Sequence, residues 1–217
     1  DSTGNVHIVY VSDLTLEVAE YATCSNSCLV DASWTSSVPI SSPNSINEVH
    51  NVDLVIDSND VLHLAIYYLT ARDLLYLTCT NACISSTWSN PVVVESIGDQ
   101  GGYASIVVDS NNKLYISYLN FNSYNLALSQ CVSACQTASS WSTTTISSSD
   151  IDGWFTTSAV NLADDSLHIV HSALGASVRY LDMNSNGYSV TPALPSGLGL
   201  GLLDGEIFGT PTVSSSA

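Results

Sequence analysis

Four acidic side chains lie where the chain could hydrolyse a glycosidic bond, a reaction that uses a pair of carboxyl groups. They occupy equivalent connections between repeating units and are Asp150, Asp152, Asp204 and Glu206. Acids in such connections are more often solvated turn residues. The only arginines are Arg72 and Arg179, so the sequence has no arginine cluster to bind an acidic substrate. It also has no Gly-x-Ser-x-Gly motif for a nucleophilic serine. We therefore expect a protein that is not an enzyme.

The six cysteines form three Cys-x-x-x-Cys pairs at equivalent places of three units. The pairs are Cys24 with Cys28, Cys79 with Cys83, and Cys131 with Cys135. An even number of locally paired cysteines predicts disulfides and an oxidising compartment, so we expect an extracellular or cell-surface protein. A zinc site is the alternative, but zinc needs four converging nitrogen or sulfur ligands, and no histidine lies beside these pairs.

The fourth unit has the segment Asp-Met-Asn-Ser-Asn-Gly in place of a cysteine pair. Its Asp182, Asn184 and Asn186 match the first half of a calcium loop, in which alternate oxygen atoms converge on the cation. The closing carboxylate is missing, because position twelve is Ala193. The segment therefore predicts either a weak calcium site or an Asn-Gly hairpin turn. No other cofactor is expected.

Histidine and tyrosine recur at matched positions of the units. One position holds His7, His63, Tyr115 and His168. A ring of histidines could bind a metal, but strands of different units diverge from one another, so we interpret the pattern as a structural hydrogen bond between units. A second position is interpreted as packing between units and holds Tyr10, Tyr68, Tyr118 and His171.

Four tryptophans fall into two groups. Trp34, Trp88 and Trp141 recur once per unit, and we expect them to anchor the outer strands with their large rings. Trp154 and Phe155 do not recur in every unit and follow a segment of turn residues. These two residues are the predicted contact surface, on an exposed connection.

Charge limits the classes of partner. The 217 residues include 20 acidic side chains but only three Lys and Arg, which gives a formal net charge of −17. Such a surface does not neutralise phosphates, so nucleic-acid binding and attraction to anionic membranes are excluded. No apolar run has the roughly 18 residues of a membrane span. Because 45% of the residues are hydrophobic, the chain has enough apolar surface for a core.

An internal repeat predicts the fold. Turns that begin at positions 1, 57, 109 and 163 are followed by similar apolar segments, with the fourth turn one residue shorter. Each unit contains short stretches of alternating apolar and polar residues separated by Asn, Asp, Gly and Ser, which is typical of β-strands. Four-stranded units of about 40–55 residues are typical of β-propeller blades. The sequence therefore predicts an all-β, four-bladed propeller of four-stranded antiparallel blades with almost no helix.

The ends of the sequence match in register. Residues 211–217 resemble the first strand of a blade, and residue 1 begins the turn that should follow it. We therefore expect one domain of units 1–48, 49–100, 101–153 and 154–209, with 210–217 completing the first blade. Three arrangements remain open. The assembly strand, with Pro211, Thr212 and Val213, closes its own ring, completes a neighbouring copy, or belongs to a longer tandem protein.

The segment from Gly102 to Ser110, followed by Leu-Tyr-Ile-Ser-Tyr and Asn-Leu-Ala-Leu-x-x-Cys, resembles the repeats of secreted sialidase-like or BNR-type β-propellers. The resemblance extends over all four units and implies a fold rather than an activity, because such propellers include enzymes, lectins and structural modules. The Asp-box pattern Ser-x-Asp-x-Gly-x-Thr-Trp of sialidases is missing.

These observations together predict an extracellular structural or adhesive surface module, arranged as a filament or tandem array through self-association. The alternative prediction is a carbohydrate-binding, lectin-like propeller that holds glycans with exposed aromatic residues. A glycoside hydrolase is the third hypothesis and predicts that neutralising Asp152 or Glu206 abolishes turnover.

Overall fold

The computed structural model describes residues 1–12, 18–37, 48–80, 83, 88–147, 152–173, 177–183, 198–200 and 207–209. Within these ranges the chain forms sixteen β-strands, and its helical content is two three-residue 3₁₀ turns, Asp31–Ser33 and Ala138–Ser140. No helix in these ranges has the length and apolarity to cross a membrane. The prediction of an all-β chain with almost no helix is confirmed.

Four antiparallel sheets follow one another along the chain, each a meander in sequence order. The first sheet contains β1 (Val6–Ser12), β2 (Val18–Cys24) and β3 (Thr35–Ser37). The second contains β4 (Val49–Ile56), β5 (Leu62–Tyr68), β6 (Asp73–Cys79) and β7 (Val92–Glu95). The third contains β8 (Gln100–Val108), β9 (Leu114–Asn120), β10 (Asn125–Cys131) and β11 (Ser142–Ser147). The fourth contains β12 (Trp154–Asn161), β13 (Ser166–Ala173) and β14 (Ser177–Met183).

Four strands per unit is therefore correct for the second and third sheets, whereas the described residues of the first and fourth sheets supply three. A further two-stranded sheet pairs β15 (Leu198–Leu200) with β16 (Ile207–Gly209). Residues 210–217, which include the predicted assembly strand Pro211, Thr212 and Val213, lie outside the described residues. The predicted unit boundaries and the closure of a ring remain predictions.

Side chains stabilise the turn between the first two strands of a sheet. In the second sheet the Asp57 carboxylate accepts hydrogen bonds from the N–H groups of Asn59 and Val61, and Asp60 adopts φ 60°. Asp and Asn tolerate this left-handed conformation, which explains their recurrence there. In the fourth sheet four residues separate the paired residues Asn161 and Ser166, one fewer than the five residues between Ile56 and Leu62 in the second sheet. The prediction of a fourth turn that is one residue shorter is confirmed.

Apolar side chains hold neighbouring sheets together. We call the face of a sheet on the side of the preceding sheet its back face and the opposite one its front face, and at each junction the front face of one sheet packs against the back face of the next. Leu62 and Leu64 on the back of the second sheet join a buried cluster with Ala19 and Tyr21 on the front of the first. The same relation holds between the second and third sheets and between the third and fourth. The core is thus a series of equivalent interfaces between sheets.

The turns also connect neighbouring sheets through hydrogen bonds. A serine of one turn donates to an Asp or Asn of the next turn, and the pairs are Ser2 with Asp60, Ser58 with Asn112, and Ser110 with Asp165. We call this contact the turn clamp. It occurs at all three junctions between consecutive sheets.

Candidate functional site

The three predicted disulfides are confirmed. Bonds join Cys24 to Cys28, Cys79 to Cys83, and Cys131 to Cys135, with Cα atoms 5.7–5.8 Å apart. Each pair begins at the last residue of the third strand position of its unit. Among the described residues no cysteine is free. Three disulfides are typical of an oxidising environment.

The histidine position is structural, but the predicted geometry was wrong in one respect. The hydrogen bond lies within each sheet rather than between units, because each histidine and its tyrosine partner are on adjacent strands of one sheet. His Nδ1 lies 2.6 Å from the hydroxyl in all three pairs, which are His7 with Tyr21, His63 with Tyr76, and His168 with Tyr180. Burial lowers the pKa of the buried His63 and that of the partly buried His7.

The second recurring position was misassigned in one unit. Strand register places Ile66, not Tyr68, at the position equivalent to Tyr10 and Tyr118. Tyr118 and His171 are buried between sheets there, as predicted, whereas Tyr10 is 40% exposed.

Asp152 is the one member of the predicted carboxylate set that the described residues include; Asp150, Asp204 and Glu206 lie outside them. Its side chain is fully buried. The carboxylate accepts hydrogen bonds from Ser147 Oγ and from Arg179 Nη1, the latter at 2.7 Å. His171 Nδ1 lies 4.0 Å from its other oxygen atom and accepts the N–H of Gly153. Asp152 therefore belongs to a buried polar cluster between the third and fourth sheets.

Of the three predicted calcium ligands, the described residues include Asp182. Asp182 is exposed and lies 3.7 Å from His168, whereas Asn184 and Asn186 lie outside the described residues. Within the described ranges, no group of three or more His, Cys, Asp and Glu side chains has the arrangement of a metal site.

The predicted contact pair, Trp154 and Phe155, belongs to a larger group of rings. We call this group the aromatic cluster, and its members are Tyr67, Tyr103, Phe121, Trp154 and Phe155. Tyr103 and Phe155 occupy equivalent positions, two residues after Gly101 and Gly153, at the beginning of β8 and β12. These strands are sheet edges, and they lie side by side across the junction of the third and fourth sheets. The cluster therefore spans neighbouring sheets.

β-Bulges set the orientation of the Tyr103 and Phe155 rings. Register shifts interrupt pairing near Gly102 in β8 and between Trp154 and Thr157 in β12. Tyr103 has φ 53° and Phe155 has φ 51°, values that bulky residues rarely adopt. Each such conformation costs about 1–3 kcal/mol, and residues of this kind concentrate at binding and catalytic sites. The two strained aromatic residues at equivalent positions make this surface the candidate site.

Tyr103 is the centre of the aromatic cluster. The centroid of its ring lies 4.5 Å from that of Phe155, 5.5 Å from that of Trp154 and 6.2 Å from that of Phe121. Phe121 also meets Trp154 edge to face at 5.9 Å and approaches Tyr67 at 5.8 Å. These distances are typical of aromatic pairs that stabilise one another.

Gly102 makes room for one member of the cluster. A Cβ atom at this position would lie 2.2 Å from Cε2 of Phe121, closer than two carbon atoms can approach. The phenyl ring therefore occupies the space that a side chain on β8 would fill. Strand register makes Gly102 equivalent to Trp154 of the next sheet.

Exposure increases across the cluster from Tyr67 to Phe155. Tyr67 is 2% exposed and Phe155 is 67% exposed, and the other three rings are partly buried. The Tyr67 hydroxyl donates to Asp99 Oδ1 at 2.6 Å, and Arg72 Nη1 lies 3.8 Å from the other carboxylate oxygen. Burial, with the nearby Asp99 charge, raises the pKa of Tyr67. The cluster is thus a partly exposed aromatic surface with polar groups at its buried end.

Buried polar atoms without partners lie on the same strand positions. The Trp154 indole nitrogen and the Asn51 carbonyl oxygen have no hydrogen-bond partner in the structure. Asn51 of β4 is equivalent to Trp154 of β12, since each pairs with the same position of its neighbouring strand. The exposed part of the aromatic cluster can stack against the apolar face of a ring-shaped ligand.

Sequence analysis found two members of the aromatic cluster and missed Tyr67, Tyr103 and Phe121. Their separation along the chain hides the contact, which depends on strand register and on packing between sheets. One signal was available in the sequence, because a glycine precedes Tyr103 and Phe155 by two residues at equivalent places of consecutive units.

Comparisons with known proteins show a similarity of fold. No protein-family model matches the sequence, and no curated protein matches it. The structure is similar to a protein of unknown function from Dyadobacter fermentans, with a TM-score of 0.62 and 10% identity over 84% of this chain and 50% of that one. A mutant of NanB sialidase from Streptococcus pneumoniae has a TM-score of 0.57 and 15% identity over 83% of this chain and 29% of that one.

A third similar structure is a mutant exo-β-1,3-galactanase from Phanerochaete chrysosporium with β-1,3-galactotriose. Its TM-score is 0.54, with 12% identity over 97% of this chain and 50% of that one. The chain thus spans half or less of each of these proteins. With four antiparallel sheets of three or four strands that match propeller enzymes, it has a β-propeller-like fold. At such identities the similarity establishes the fold alone.

Proposed function

We propose that this chain binds carbohydrate through the aromatic cluster. The observation that carries the proposal is the pair of equivalent, strained rings of Tyr103 and Phe155, with Trp154 beside them and Phe155 largely exposed. A sugar ring has an apolar face of C–H groups and a rim of hydroxyl groups. Aromatic rings bury the first, and neighbouring donors and acceptors bind the second.

The comparisons support this function indirectly. Two of the similar structures are named as enzymes that act on carbohydrate, a sialidase and an exo-β-1,3-galactanase, and the second contains β-1,3-galactotriose. Because their identity to this chain is low, they contribute the observation that this fold accommodates sugars, and the site itself is argued from the aromatic cluster.

Charge favours neutral sugars over acidic ones. The net charge is −17, and the two arginines each lie beside an aspartate, Arg72 beside Asp99 and Arg179 beside Asp152. A sugar carboxylate needs cationic donors that are not already engaged. We therefore propose neutral hexoses or their oligomers as ligands.

Binding is proposed rather than hydrolysis because of the position of Asp152. A catalytic acid must come within hydrogen-bond distance of the glycosidic oxygen. Asp152 is fully buried and is hydrogen-bonded to Ser147 and Arg179. These contacts favour a role in holding the third and fourth sheets together. The expectation of a structural or adhesive module stays a prediction, and glycan binding is compatible with adhesion.

A glycan array followed by calorimetry tests the proposal. The wild type should bind a subset of neutral glycans and no sialylated glycan, and Phe155→Ala and Tyr103→Ala should each weaken binding about tenfold or more, which corresponds to about 1.4 kcal/mol. Tyr124→Ala is the matched control, because Tyr124 is 43% exposed and makes no ring contact with the cluster. Wild-type protein that binds no glycan, or cluster variants that bind as the wild type does, would refute the proposal.

A further inference from the structure

The first and fourth sheets each expose a face that is buried in the sheets between them. The back face of the second sheet is at most 3% exposed at Leu62, Leu64 and Ile66. Strand register gives the equivalent positions of the first sheet. These positions hold Val6, Ile8 and Tyr10, which are 44%, 42% and 40% exposed.

The front face shows the same contrast at the other end of the series. In the second sheet Leu74 and Tyr76 are 0% and 2% exposed, because they pack against the third sheet. Their equivalents in the fourth sheet are Val178 and Tyr180, which are 76% and 60% exposed. Large apolar side chains therefore occupy both faces, and the described residues leave both faces exposed.

We propose that the front face of the fourth sheet packs against the back face of the first sheet of a second copy of this chain. At each of the three junctions inside the chain, the front face of one sheet packs against the back face of the next. The two exposed faces are one front face and one back face, so they are expected to pack together in the same way. Both are open at once in a single chain, so they do not cover each other. A second copy supplies the missing face at each end.

The internal junctions define the expected contact. Tyr21 meets Trp88 of the following sheet with ring centroids 5.4 Å apart, and Tyr76 meets Trp141 at 5.1 Å. Tyr180 holds the position of Tyr21 and Tyr76 in the fourth sheet. It should therefore contact the tryptophan of the first sheet of the second copy, Trp34.

The turn clamp does not continue across this junction. The residue equivalent to Asp60 in the first sheet is Gly4, which has no side-chain acceptor. The fourth turn, residues 162–165, contains no hydroxyl group to donate. The junction between copies rests on apolar contact without the hydrogen bonds of the internal junctions. It should therefore be weaker than those and should dissociate on dilution.

Complementation between two variants tests the proposal. Ile8→Glu places a charge on the back face of the first sheet and leaves the fourth sheet intact, whereas Tyr180→Asp does the reverse. Both positions are at least 40% exposed, so each variant should fold, and thermal unfolding checks this; Val6→Glu replaces Ile8→Glu if that variant does not fold. Val93→Glu is the control, since Val93 is 40% exposed but lies on an outer strand.

Sedimentation velocity over a range of concentrations gives the readout. The wild type and Val93→Glu should associate reversibly, and each face variant alone should stay monomeric. An equimolar mixture of Ile8→Glu and Tyr180→Asp should form a one-to-one dimer, because each retains the face that the other has lost. A wild type that is monomeric at every concentration, a face variant that associates like the wild type, or a mixture that stays monomeric would each overturn the proposal.

Discussion

Tyr103 and Phe155 occupy equivalent positions in consecutive sheets, with φ 53° and 51° and ring centroids 4.5 Å apart. Each follows a glycine by two residues, and those glycines, Gly101 and Gly153, also have positive φ. The bulges turn both rings toward the junction of the third and fourth sheets, where they meet. This relationship links the repeat of the sequence to the proposed sugar-binding surface.

The strained backbone at Phe155 predicts an unusual order of stability. Phe155→Gly should be about 1 kcal/mol more stable than Phe155→Ala, because glycine adopts positive φ without steric cost. Urea unfolding of the two variants measures the difference. Phe121 provides the control, since its φ is not positive, and there the alanine variant should be the more stable one. An alanine variant at position 155 as stable as the glycine variant would show that the backbone there is not strained.

Close contact between Gly102 and Phe121 predicts a non-additive pair of substitutions. Gly102→Ala should lower the free energy of unfolding by about 1–3 kcal/mol. The new Cβ would lie 2.2 Å from Cε2 of Phe121, so the phenyl ring must move away. It should also weaken sugar binding by disturbing the aromatic cluster. In the Phe121→Ala background the same substitution should cost much less. A double-mutant cycle measures the coupling, and purely additive effects would contradict the described packing.

Burial of His63 predicts a loss of stability in acid. Burial lowers the pKa of this histidine below its usual 6.5, although the Asp57 carboxylate opposes the shift. Below about pH 6.5 the unfolded state therefore binds a proton more readily than the folded state, and the free energy of unfolding falls as the pH decreases. Above that pH the contribution of His63 is constant.

Urea unfolding between pH 7.5 and 5 checks this, with the range chosen about the usual histidine pKa of roughly 6.5. His63→Gln should make the free energy of unfolding less dependent on pH. His50→Gln, which replaces an exposed histidine, is the control and should leave most of the pH dependence in place. An unchanged slope in His63→Gln would be inconsistent with a buried, neutral His63.

The disulfide between Cys79 and Cys83 predicts a modest stabilisation. It closes a short loop, and the chain-entropy model assigns about 2 kcal/mol to such a closure. Cys79→Ala with Cys83→Ala should lower the free energy of unfolding by at least that amount, because both side chains are also buried beside Trp88. Denaturant unfolding measures the loss, and the same double change at Cys24 and Cys28 provides a comparison. A pair variant as stable as the wild type would show that the bond contributes nothing.

Local patterns made much of the fold predictable. The recurring Asp of the first turn, exemplified by Asp57, marks a hairpin, because its carboxylate binds backbone N–H groups two and four residues later. Cysteine pairs separated by three residues also predicted disulfides from local sequence alone, because the two partners are close together along the chain. The number of strands in each sheet was less predictable at the ends of the series, where the described residues form three strands.

The site was only partly predictable. Trp154 and Phe155 stand out because their neighbours in sequence are turn residues. Tyr103 is 51 residues before Trp154 and joins it only through packing between two sheets. The misassignment of Tyr68 has a similar cause, since sequence similarity alone did not set the strand register that places Ile66 at that position. Contacts across sheets depend on register and bulges, which the pattern of a single strand does not specify.

Saturation-transfer difference NMR with the strongest glycan ligand tests the central claim most directly. The protons on the apolar face of the sugar should receive saturation from the wild type, and the signal should disappear in Phe155→Ala while it persists in Tyr124→Ala. Equal signals from the wild type and Phe155→Ala would contradict a sugar site on the aromatic cluster.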